Sequence, residues 1–87
     1  MLNEFNALTN DSRQLLLDLL NDSANWSGLP CWGGNVGGSK QDNGNLTDLK
    51  RHGYLETGRD EGCDWIIWTD KGKALAAELG IDLGFWD

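Results

Sequence analysis

Residues 45–80, NLTDLKRHGYLETGRDEGCDWIIWTDKGKALAAELG, decide the fold of this chain, because helical and extended patterns follow one another along them. Leu46, Leu49 and Gly53 fall on one side at a 3.6-residue period, which predicts a helix that stops at Gly53. Tyr54 opens an extended run over 54–57, and the apolar run WIIWT within 64–69 returns beside it after the turn-rich stretch 58–63. Thr69 or Asp70 then caps a last helix whose Leu75, Ala76 and Leu79 face the core before Gly80 ends it.

Working upstream, Ser39 with Asp42 three residues on marks the start of the middle helix, which therefore covers about 40–52. Opposite its apolar side lie Lys40, Gln41, Gly44, Thr47, Asp48 and Arg51, with Asp42 and Lys50 on the flanks. Before it, ANWSGLPCWGGNVGG at 24–38 holds five glycines and the only proline, a composition that predicts a loop with a short strand at 29–32. A first helix, capped by Thr9 or Asn10, carries Leu15, Leu16, Leu19 and Leu20 on one stripe and is expected to stop at Asn21, Asp22 and Ser23.

The turn phrase Leu46, Leu49, Gly53, Tyr54, Leu55, Glu56 and the strand-to-helix phrase IIWTDKGKAL at 66–75 resemble the winged helix-turn-helix domains of MarR- and PadR-like regulators and of small phage-encoded winged-helix proteins. The resemblance implies an α+β fold, one domain over 1–87 with about three helices and a two- or three-stranded β wing. It also implies that helix 40–52 is the element that enters the major groove, and that Ile66 and Trp68 point inward while Trp65 and Ile67 point outward. Trp26 and Trp32 are then the expected cover for Trp65 and Ile67. One departure is the glycine-rich stretch where such a domain places a regular helix.

Function classes narrow quickly. The chain has 87 residues and a net charge of −7, from seven Lys and Arg against fourteen Asp and Glu. No apolar run reaches the roughly 20 residues that span a bilayer, and the start MLNEFNALTNDS lacks a secretory pattern, so a cytoplasmic protein without membrane attachment is expected. In that setting Cys31 and Cys63 are expected as free thiols, and the Asn-x-Ser/Thr triplets at Asn10, Asn21, Asn25 and Asn45 carry no glycosylation meaning. Catalytic and metal-ligand sets are lacking, so neither enzyme nor cofactor is expected. Gly33, Gly38, Ser39 and Lys40 imitate a phosphate-binding loop but transpose its lysine and hydroxyl, which argues against nucleotide binding. The free amides of 37–39 still suit an anion such as a DNA phosphate.

Two partners remain in view. For duplex DNA the candidate contacts are Lys40, Gln41, Gly44, Thr47, Lys50 and Arg51 on the middle helix and Arg59 on the wing. Residues 40–59 hold four cations against three acids, net +1, whereas Arg59 is outnumbered locally by Asp60, Glu61 and Asp64. For a basic protein surface, as in a phage-encoded inhibitor of a host nucleic-acid machine (an anti-CRISPR protein or DNA mimic), the candidates are Asp60, Glu61, Asp64, Trp65, Ile67, Phe85 and Trp86. The tail IDLGFWD, with Phe85 and Trp86, either folds back or pairs two copies as a homodimer.

Overall fold

Leu15, Leu16, Leu19 and Leu20 are all buried, and the helix that carries them is the wall on which the rest assembles. The structure, a computed structural model, describes residues 2–26, 30–33 and 40–83, with the backbone alone at Trp26. Among these residues the order is α1 (Leu2–Ala7), α2 (Asn10–Trp26), α3 (Lys40–Arg51), β1 (Leu55–Asp60), β2 (Cys63–Trp68) and α4 (Asp70–Glu78). The architecture is α+β, four helices around one antiparallel hairpin, in an arrangement compatible with a winged helix.

Thr9 caps α2, its Oγ1 accepting from the Ser12 amide at 3.2 Å. The helix runs past its expected stop to Trp26. Burial explains the extension: Ser23 is wholly enclosed and its hydroxyl accepts from the Trp68 indole N–H at 3.1 Å, a tertiary contact that outweighs the local stop signal. α1 is an addition to the expected elements. Its Phe5, with Leu8 beyond it, closes the core, while Glu4 pairs with Lys71 of α4. The hydrogen bond from Lys71, and then its charge, hold the Glu4 carboxyl below the ordinary value.

The hairpin differs from expectation at its tip. β1 continues to Asp60, and Arg59 and Asp60 stand opposite Asp64 and Cys63 as strand residues. Only Glu61 and Gly62 turn the chain, at φ of 51° and 79°. Two consecutive left-handed residues match the twist of the strands, which is why so short a turn suffices. Gly58 is a strand residue as well, and a Cβ there would lie 3.0 Å from Ile67 Cδ1. Ile66 and Trp68 are buried, and Ile67 is 39 % exposed on the outer face. Trp65 is half-buried, its indole N–H reaching across to the Asp60 carbonyl at 3.2 Å.

The expected short strand is a single bridge, Cys31 with Trp65, flanked by Trp32 N–H donating to the Asp64 carbonyl and Ile66 N–H to the Pro30 carbonyl, each at 2.8 Å. β2 therefore has a partner on both sides. The expectation of free thiols is corrected here: Cys31 and Cys63 form a disulfide, with Cα atoms 5.8 Å apart. Cys31 pairs with a residue two positions from Cys63, so side-chain alternation brings both sulfurs to the same face. Trp32 packs against the core cluster rather than serving as the outer cover, and the Trp26 side chain lies outside the described residues.

Thr69 locks α4 to the end of α3. Its hydroxyl accepts from the Gly72 amide at 3.1 Å and donates to the Gly53 carbonyl at 2.5 Å. Beyond α4, Ile81 packs on the core and Leu83 is buried, so the chain folds back at least this far. Phe85 and Trp86 lie outside the described residues. No described helix is long and apolar enough to cross a membrane.

Candidate nucleic-acid interface

The outer face of α3 is a product of how α3 seats on α2. Leu46 and Leu49 are buried between the two helices. Beside them the wholly enclosed Ser12 hydroxyl lies 3.1 Å from Asp48 Oδ2 and 3.3 Å from Asn45 Oδ1. A hydroxyl has one proton, and the carboxylate is the stronger acceptor for it. Asp48, expected on the outer stripe, is thus turned toward α2 and half-buried, and His52 Nε2 sits 3.6 Å from its other oxygen. Asp42 is half-buried too, at the edge of the cleft between the helices.

The charges of α3 are segregated as a result. Lys40, Gln41, Gly44, Thr47, Lys50 and Arg51 are all exposed, while both acids of the helix are not. Among the described residues none of the three cations enters an ion pair. Thr47 is satisfied by its own helix, donating to the Asn43 carbonyl at 3.0 Å. Gly44 sits in the middle of the exposed face, with open space where a Cβ would be.

Gln41 is held from below. Its Nε2 donates to Asp11 Oδ2 on α2 at 2.9 Å. A carboxylate only accepts, so the amide must present its NH2 group to Asp11, leaving the carbonyl oxygen and the second N–H for another partner. Nothing local in the sequence announces this contact, because Asp11 and Gln41 are brought together only by the packing of α2 on α3. The same holds for the bond from the Trp32 indole to Asn43 Oδ1, 3.1 Å, which ties the bridge segment to α3.

Arg59 does not join the α3 group. It lies on β1, where its guanidinium faces the cross-strand Asp64 at 3.3 Å. Asp60 and Glu61 are exposed beside it at the turn. A second negative region is an open groove of about 610 Å³ between α2 and α3, lined by Asp11, Asp18, Asp22 and Asp42 among amide side chains. Among the described residues no group of acids, His or Cys is arranged to hold a metal ion. Compared with known protein families, curated proteins and solved structures, the chain finds no match.

Proposed function

We propose that this is a small winged-helix DNA-binding protein, a transcriptional regulator that reads duplex DNA through α3. The observation that carries the reading is the segregation of charge on that helix: three exposed cations with Gln41, Thr47 and Gly44 between them, and both acids turned toward α2. Lys40 and Lys50 suit phosphate oxygens. Arg51 suits a guanine edge, and the free carbonyl and N–H of Gln41 are the acceptor and donor that an adenine edge requires. Asp11 holds that amide in place before DNA arrives. Arg59, being paired with Asp64, contributes to the backbone only if that pair opens.

The test is retention of random duplex DNA at low and moderate salt, followed by sequencing of what is kept. An enriched motif is expected, and Arg51→Ala should then weaken binding to it by about 1–3 kcal/mol. No retention at low salt, or an Arg51→Ala variant that binds as well as the parent, would sink the assignment.

The acidic groove and the exposed Asp60 and Glu61 favour a second reading, an acidic protein that occupies the basic channel of a nucleic-acid-handling protein, as a phage-encoded inhibitor would. Charge reversal of Asp60, Glu61 and Asp64 should abolish such inhibition, and retained inhibition would remove the wing from the account.

A further inference from the structure

The Cys31–Cys63 disulfide encloses more than a loop. Its 32-residue separation contains the whole of α3 and β1. Cys63 is the first residue of β2, and Cys31 bridges to Trp65 on the same strand. One residue on, Trp32 turns to the other face, where its ring packs against the core and its indole N–H donates to Asn43 on α3. Asn43 is the neighbour of Gly44 and lies two positions from Gln41. A covalent bond on the sheet is therefore one residue removed from a hydrogen bond to the exposed part of α3.

Among the described residues, without the disulfide the segment 30–33 would stay on β2 through the two flanking backbone bonds, the packing of Trp32 and the burial of Pro30. So short an edge pairing sits at the low end of local stability. Neither cysteine is fully buried. Disulfides persist in oxidising surroundings and are opened by the thiol pools of reducing ones.

We propose that the Cys31–Cys63 disulfide is a redox-sensitive brace of α3. Closed, it seats Trp32 against Asn43 and orders the first half of the helix; opened, it releases 30–33 and loosens the surface formed by Lys40, Gln41 and Gly44. A dithiol opens it by two exchanges. One of its thiolates attacks a protein sulfur to form a mixed disulfide and expels the other sulfur as a thiolate. The second thiolate of the reagent then displaces the remaining protein sulfur. Two electrons pass to the protein, the reagent ends as its own disulfide, and its two protons go to Cys31 and Cys63. The effect on DNA affinity rests on the function proposed above; the brace itself does not.

The experiment compares the full chain, oxidised and reduced with dithiothreitol, by residue-resolved amide exchange and by binding to the duplex that the oxidised chain selects. Reduction should speed exchange at Trp32 and at 44–47, whose helical partners are the carbonyls of 40–43, while the amides of α2 and α4 keep their protection. Affinity should fall about 5- to 150-fold, the range of ordinary coupling between sites. Trp32→Phe in the oxidised chain, which keeps a ring and loses the indole N–H, should reproduce part of the loosening in α3. Identical α3 exchange in the two redox states would overturn the brace. So would loss of protection throughout the chain, which would make the bond a global staple; an unchanged affinity in a chain that binds DNA when oxidised would overturn the coupling of the brace to DNA binding. If the oxidised chain selects no duplex, the DNA reading falls and the exchange data decide the brace alone.

Discussion

Gly44 is where stability and binding pull in opposite directions. Glycine in a helix interior costs about 1 kcal/mol against alanine, and at Gly44 a Cβ would meet nothing within 4 Å. Gly44→Ala should therefore raise the denaturation midpoint by an amount equivalent to about 1 kcal/mol. If DNA approaches the backbone there, the same variant should bind more weakly. A variant that is more stable and binds equally well would remove Gly44 from the interface. Tyr54 presents the opposite case, a side chain with an atom it does not use. It is wholly buried, its hydroxyl has no hydrogen-bond partner among the described residues, and burial pushes its pKa up. The ring earns its place otherwise, with the Lys71 ammonium 4.7 Å from its centroid. Since an unsatisfied buried hydroxyl costs about 1–3 kcal/mol, Tyr54→Phe should be neutral or stabilising by about 1 kcal/mol in urea titration. A loss of stability larger than that would mean the hydroxyl has a partner.

Between elements, the decisive contact is the approach of α4 to the start of the hairpin. A Cβ on the buried Gly72 would lie 2.1 Å from the Tyr54 carbonyl oxygen and 3.2 Å from Trp68 Cε3. The obstacle is backbone, so it cannot be relieved by a rotamer change. Gly72→Ala, which on helix propensity alone should help, is expected to destabilise by about 1–3 kcal/mol or more through forced separation of α4 from β1 and β2; unchanged thermal stability would contradict this packing. The order of helix, hairpin and helix was legible because it rests on local patterns: Leu46 and Leu49, Leu75 and Ala76 are buried where their spacing put them, and Ile66 and Trp68 where the resemblance implied. What was not legible depended on partners distant in sequence. Ser23 looks like a helix stop until Trp68 is placed against it, Gly58 like a turn until Trp65 is placed across from it, and Asp48 like a surface residue until Ser12 is beneath it. The disulfide belongs with these, since only the register of Cys31 on β2 brings the two sulfurs together. On the candidate site, exposure of Lys40, Gln41, Gly44, Thr47 and Arg51 followed from helical phase, whereas the turning of Asp48 off that stripe and the engagement of Gln41 by Asp11 and of Arg59 by Asp64 did not.

The whole chain carries −7, so any approach to DNA must be made by one face while the rest of the surface is repelled. On that face the cations without an ion pair among the described residues are Lys40, Lys50 and Arg51, while Arg59 is engaged by Asp64. Each phosphate neutralised contributes about −0.9 to the slope of log K against log salt, so three contacts predict a slope of about −3, shallow for a DNA-binding protein. A slope steeper than about −6 would mean that cations off α3 make contact, and the interface would have to be redrawn. The groove acids offer an independent check. Asp18 and Asp22 line the groove and contribute negative field beside α3. Replacing both with Asn should quicken association with duplex DNA at low salt, an effect that fades as screening reaches about 10 Å near 0.1 M. The selected sequence should not change, because neither side chain is on the exposed face that carries Gln41 and Arg51. If instead those variants lose a protein partner and leave DNA association untouched, the acidic groove rather than α3 is the surface that acts.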